Sequence, residues 1–203
     1  MTYQDTLDRV SAETEEEVDR ILDRFEAGAI TEAAAVALIA RIIWIGQSKG
    51  AAIADLSLAA ELSVRSRVPV PPAGVRNKNT LAQVEKAVRT TFTTAEGGES
   101  FRMRVRRLAG NEPQYVAKQA HSEALARSPR VEGWVRGLDA DPCELCIWWS
   151  RDGRVWPKGY PLQHHKGCQC TQVPVLRDKV APVPYSRIQS RANFSPEGRN
   201  TDV

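Results

Sequence analysis

Six side chains near the end of the chain have the types and spacing to do chemistry together. All four cysteines lie there, as Cys143-x-x-Cys146 and Cys168-x-Cys170, with the pair His164-His165 just before the second set. A C-x-x-C turn sets two thiolates on one side of a tight loop, and a second loop reading H-x-x-C-x-C supplies further donors. Soft thiolates with an imidazole are the ligand set that selects zinc. Cys143, Cys146, His165, Cys168 and Cys170 are five candidates for four places, and His164 is a sixth. Spacing does not say which stays outside. The single residue between Cys168 and Cys170 is shorter than the separation in usual structural sites. Two disulfides, or free thiols without metal, are the alternatives. Met1 leads into TYQDTLDRV, which has no apolar core of a secretory leader. An oxidising compartment is therefore not expected, and structural zinc is the expected cofactor.

Other residue types outside this cluster can also do chemistry. Arg102, Arg104, Arg106 and Arg107 are candidate contacts for the phosphates of DNA, since guanidinium forks suit phosphate oxygens. On a helix these positions face different sides, so a solvated or intersubunit helix is the favoured reading. His121 sits mid-helix in AKQAHSEALA and reads as structural. Asp139 and Asp141 read as a turn, because no second acid or base is spaced to complement them. Trp134, Trp148, Trp149 and Trp156 fall in or just before the cysteine window. A module of about 40 residues buries little core, and a metal with large aromatics compensates. The tryptophans are thus expected as a satellite core rather than a base-stacking platform. There is no P-loop, no G-x-S-x-G and no dinucleotide fingerprint.

The elements that must position these groups are helical for the first two thirds of the chain. Thr14 and Glu17 make a capping box for a helix over 14–27, with Val18, Ile21, Leu22 and Phe25 as its stripe. Thr31 caps a second helix to about Leu62, apolar nearly all round in its first half and so central to a bundle. Gly46 and Gly50 bend it or admit a neighbouring helix. Residues 67–79, with three prolines and a glycine, read as a linker. Thr80 and Gln83 open a third helix ending near Gly97-Gly98. A short helix follows over 99–109, stopped by Gly110; another is capped by Asn111, carries Pro113 in its first turn and runs to about Arg127. Residues 131–138 read as a strand and 172–175 as a closing strand. The expected fold is mostly α, a helical bundle followed by a small α+β zinc-knuckle-like module. Its divisions are 1–66, a linker at 67–79, a domain at 80–175 with the module at 141–175, and an extended tail at 176–203.

Charge is unevenly spread. Residues 1–60 hold 5 Lys and Arg against 11 Asp and Glu, and the rest hold 23 against 14, so a head of −6 precedes a body of +9. Such asymmetry suggests different partners at the two ends. The most apolar run, 33–46, is shorter than the about 20 residues a membrane span needs, so no membrane partner is expected.

Residues 115–175 resemble the Mu F-like phage head morphogenesis family, the minor capsid proteins of tailed phages. The resemblance rests on the order of elements. The helix YVAKQAHSEALA is followed by Trp134 to Asp139, Cys143-x-x-Cys146, Asp152-Gly153 and Trp156-Pro157. Pro161, His165-x-x-Cys168-x-Cys170 and a strand from Thr171 to Val175 complete it. The family commonly has proline and asparagine where this chain has Lys166-Gly167, and arginine in place of Gln169. The resemblance favours His165 over His164 as ligand. It implies a virion component in the capsid interior at the portal vertex, in multiple copies, made in the host cytoplasm. Its partners would be the portal or major capsid protein and packaged DNA, and its role would be in head assembly and DNA packaging or ejection, without enzymatic activity. The alternative is a zinc-containing DNA-binding or HNH-like nucleic-acid-processing protein. C-x-x-C with His-His is similar to the start of an HNH site, but no N-x-x-x-L-C-x-x-C-H segment follows.

Overall fold

Thr2 begins the first helix. Its hydroxyl accepts from Asp5 N at 3.1 Å, and Asp5 Oδ2 accepts from Thr2 N at 2.6 Å, a reciprocal box that satisfies two backbone donors. The computed structural model describes residues 2–93, 101–165 and 167–177. It has α1 (Tyr3–Glu26), α2 (Glu32–Ser66), α3 (Leu81–Thr93), α4 (Phe101–Arg127), β1 (Val131–Gly137), α5 (Glu144–Ser150), β2 (Trp156–Pro157) and β3 (Thr171–Leu176). This is the expected mostly helical chain with a small C-terminal α+β module. The tail from residue 178, the stop near Gly97-Gly98 and residue 166 lie outside the described residues.

Helix α1 starts eleven residues before the expected boundary. Thr14 is not a cap: it is buried mid-helix, and its hydroxyl donates to Val10 O at 2.7 Å. The buried stripe runs Leu7, Val10, Thr14, Val18, Leu22, and a threonine at its centre hid the first half. A larger correction concerns α4. The two expected helices are one, running through Gly110, Asn111 and Pro113. Proline inside a helix costs about 3 kcal/mol in isolation, so packing must override it. Pro113 is buried against α2 where Gly46 and Gly50 leave a notch. A Cβ on Gly50 would lie 2.4 Å from Pro113 O. Asn111, expected as a cap, instead donates from its side chain to Arg107 O at 2.8 Å.

The proline-rich stretch after α2 has no regular structure but is strapped down. The buried Asp55 carboxylate on α2 accepts from Ala73 N (2.9 Å), Gly74 N (2.8 Å) and Val75 N (3.0 Å). Ser63 Oγ accepts from Val70 N at 2.8 Å, and Trp44 Nε1 donates to Asn79 O at 2.8 Å. The expected Thr80–Gln83 box then opens α3.

Two cores result. One lies among α1 to α4 around Val18, Leu22, Ile39, Ile43, Val88 and Val105. The rings of Phe25, Phe92 and Phe101 pack beside it in mutual contact. The other joins α2 and α4 to the sheet through Leu58, Leu62, Ala120, Leu125, Val131 and Trp134. The sheet is antiparallel in the order β2-β1-β3, with Trp134 opposite Trp156 on one side and Pro174 on the other. Gly133 is required here: a Cβ would lie 2.3 Å from Trp156 O. Trp134 is fully buried and donates to Tyr160 O at 3.0 Å, while Trp156 stacks between Trp134 and Tyr160.

Candidate metal centre

Two loops carry the cysteines to one place. Cys143 stands at the N-cap of α5, so Cys146 falls in the helix's first turn and points the same way. The segment after β2 returns through Leu162, buried in the second core, and delivers His165, Cys168 and Cys170 just before β3 pairs with β1. Sequence reading took C-x-x-C as a bare turn and missed both α5 and β2. Seven and two residues are too short to show a period.

The sulfurs and one ring converge. Cys143 Sγ lies 3.1 Å from His165 Nε2, Cys146 Sγ lies 3.4 Å from the same nitrogen, and Cys146 and Cys168 Sγ are 3.5 Å apart. Two trios have all donor atoms within 4.8 Å of one another: Cys143, Cys146, His165 and Cys146, Cys168, Cys170. With Zn–S near 2.3 Å, the edge of a tetrahedral site is about 3.8 Å. The donors thus stand close to ligating distance, and the residues fit zinc. Cys146 belongs to both trios, so a single ion could use Cys146 and three of the other four. All four cysteines are free thiols rather than cystines. His164 turns away from the donors: its ring meets Tyr115 edge-on at 5.0 Å, and it is His165 that reaches the cluster.

Electrostatics around the donors suit a negative centre. Burial pushes the Cys146 and Cys170 thiols up. The Cys143 thiol is held down, first by the Cys146 N–H and then by the Cys146 and His165 side chains. At Cys168 burial works against the thiolate, but the N–H of Cys170, the Cys146 thiol and the Lys118 charge outweigh it. Two buried cations back the cluster. Lys118, from α4, donates to Cys168 O, and burial holds its own ammonium down. Arg136, from β1, directs Nη1 at Cys146 Sγ (3.9 Å), donates through Nη2 to Gln163 O and lies 5.2 Å over the Trp149 ring. Neither makes a described carboxylate pair, and a buried cation without a counter-charge is costly. Ionised thiolates, in particular those ligating a metal, supply that charge. Asp139 Oδ2 accepts from Cys170 Sγ at 3.6 Å, which fixes this expected turn residue beside the cluster. No signal in the sequence marked Lys118 or Arg136.

The remaining candidates fall elsewhere. Arg102 pairs with Asp19 (3.2 Å), Asp23 (2.7 Å) and Glu26 (2.8 Å), and Arg106 with Asp19 (3.1 Å), all on α1. Arg102 and Arg106 are thus engaged by the acidic first helix of the same chain. Arg104 and Arg107 line a cleft of about 650 Å³ with Tyr115, His164, His165 and Cys168. His121 is buried and structural as expected, its Nε2 3.0 Å from Gln172 O, which ties α4 to β3. The tryptophans divide. Trp134 and Trp156 belong to the core side and Trp149 packs on the cysteines, but Trp148 is 57% exposed under Arg151. It lies outside the expected satellite core because a seven-residue helix has only one inward face.

No curated protein and no solved structure matches the chain. A family model does, over residues 1–194, and the chain therefore belongs to the family described as VG15 protein, a phage-associated viral gene family.

Proposed function

We propose that this protein is a minor capsid protein of a tailed phage, of Mu F-like type, with a structural role in head assembly and DNA packaging or ejection. The observation that carries the reading is the donor count at the centre. Two donor trios that share Cys146 offer five protein ligands to an ion that takes four, enough to fill every position that catalysis at zinc would leave open for water or substrate. Zinc there would clamp two loops together and do no chemistry. The clamped module presents an apolar outer face: Leu145, Ile147 and Trp148 on α5, with Leu138 and Val155 on the flanking loops, are all exposed. Exposed apolar patches of this kind mark protein contacts. The expected partner is the portal or major capsid protein, inside the head at the portal vertex, with several copies around it. Arg104 and Arg107 would face packaged DNA.

Quantitative mass spectrometry of purified particles, with co-sedimentation of the protein and portal, tests this. The protein should be found in particles in low copy, and Trp148→Ala should weaken co-sedimentation without loss of helicity. Absence from particles, or a protein that never sediments with portal or capsid, would refute it. The second reading, a zinc-containing DNA-binding or HNH-like protein, draws on Arg104, Arg107, His164 and His165 sharing one cleft. A steep salt dependence of DNA binding, or metal-dependent cleavage, would favour it.

A further inference from the structure

Tyr115 and His164, whose rings meet edge-on at 5.0 Å, line the Arg104 cleft and also a second cavity of about 700 Å³. That volume is in the range of pockets that hold small ligands. Three parts of the chain converge on it. Arg76 and Lys78 come from the strap between α2 and α3, Lys118 from α4, and Lys158 from the loop after β2. Against these four cations the wall carries one carboxylate among the described residues, Glu123, and Lys78 and Arg127 already engage it. The Lys158 ammonium donates to Ser128 O at 3.2 Å, a neutral partner. Arg76 is exposed and makes no ion pair among the described residues. The surplus in this cavity is positive, and it selects an anionic ligand.

The rest of the wall is flat and apolar. Tyr115 is 41% exposed, the Tyr160 ring lies on Trp156, and Pro161 and Leu162 adjoin it. Aromatic faces beside cations hold an unpaired base together with its phosphate: ring stacks on ring, and the phosphate meets guanidinium and ammonium groups. An inorganic anion would leave the aromatic wall unused, and an acidic peptide would offer carboxylates without a plane to stack. We infer that this cavity binds one nucleotide unit, its phosphate on Arg76, Lys78 and Lys158 and its base against Tyr115 and Tyr160. The unit is a free nucleotide or an unpaired residue of a strand. A duplex is excluded, because the ring faces of its paired bases are covered by their neighbours. The inference uses neither Arg104 nor Arg107 and is independent of the metal centre and of any role in a phage head.

Equilibrium dialysis of the full chain with thymidine monophosphate tests it, with thymidine and inorganic phosphate as competitors. Saturable binding is expected, and each competitor should be weaker than the nucleotide by at least about tenfold, since each fills only part of the site. Arg76→Glu and Lys158→Gln should each weaken the nucleotide at least about tenfold, the worth of one charge-assisted hydrogen bond, with far-UV circular dichroism unchanged. Arg104→Glu with Arg107→Glu, in the neighbouring cleft, should leave nucleotide affinity as it was. Fluorescence anisotropy of labelled oligothymidylate tells the two sources apart. A strand held more tightly than the mononucleotide, and displaced by it, assigns the cavity to a strand; a strand held no more tightly assigns it to the free nucleotide. Inorganic phosphate competing as well as the nucleotide, a glutamate-rich peptide displacing it more readily than thymidine does, or annealed duplex bound through Arg76 as tightly as the single strand would overturn the inference. So would the absence of binding at millimolar nucleotide.

Discussion

At Cys146 burial holds the proton on sulfur, yet one imidazole nitrogen and one further sulfur stand within 3.5 Å of it. Binding an ion there releases that proton, and no other residue belongs to both donor trios. Cys146→Ser should therefore leave the protein without bound zinc, whereas Cys143→Ser and Cys170→Ser should keep an ion at reduced affinity, because a fifth donor is at hand. Zinc per chain, measured after dialysis, checks this. Equal retention in all three variants would remove Cys146 from the centre. His121 offers a separate test. Burial lowers its pKa from the ordinary 6.5. A base with a depressed pKa in the folded state is neutral in both states above 6.5, so stability is complete there. As pH falls below 6.5 the unfolded chain takes up the proton first, and stability drains away until the folded value is passed. His121→Gln should flatten part of the acid-side loss between pH 6.5 and the lower folded value, read as melting temperature against pH in both proteins. An unchanged slope would mean that His121 does not titrate on unfolding.

At the scale of elements, helix contacts turn on a few small residues. Adding a methyl at Gly50 drives it into the Pro113 carbonyl of α4, backbone that cannot swing aside. At Gly110 the added methyl meets only the tip of Glu15, a flexible carboxylate. Gly50→Ala should cost about 1–3 kcal/mol by overpacking, against a propensity gain of about 1 kcal/mol. Gly110→Ala should be neutral or stabilising, since Glu15 can move and the propensity gain remains. Urea denaturation of the two variants decides it, and equal destabilisation would show that the α2–α4 approach is loose. The same contact explains what was legible in the sequence. α2, its Thr31 cap, the Thr80–Gln83 box and β1 announced themselves through period and capping. The continuity of α4 did not, because Gly110, Asn111 and Pro113 are locally helix-breaking and only the notch in α2 makes them tolerable. Asp55 was equally silent: one carboxylate in an apolar helix gives no hint that it will hold three amides of a strap eighteen to twenty residues on. For the centre, ligand types and the place of His165 could be read from spacing and resemblance. The cations behind it come from elements distant in sequence, and no local pattern points to them.

Taken whole, the molecule has a helical core, a second core shared between helices and sheet, and a cysteine cluster whose donors could hold a metal. Among the described residues this cluster buries Cys146, Cys168 and Cys170, with Trp149 packed against them. That is little apolar surface, and a seven-residue α5 cannot hold a helix on its own in water. If zinc is bound there, its removal would leave Lys118 and Arg136 facing sulfurs that regain protons, and two buried cations would lose their counter-charge. Chelation should thus unfold α5 and the loop that carries Cys168 and Cys170 while α1 to α4 stay folded about their own cores. Hydrogen exchange should show amide protection lost in α5 and around Cys168 and kept in α2. Far-UV ellipticity should fall only slightly, because α5 is short, and the fluorescence of Trp148 and Trp149 should change as their helix melts. The opposite result, loss of α2 protection together with α5, would mean that β1 and β3 transmit the clamp into the second core through Val131, Trp134 and Leu176. The module and the bundle would then be a single cooperative unit.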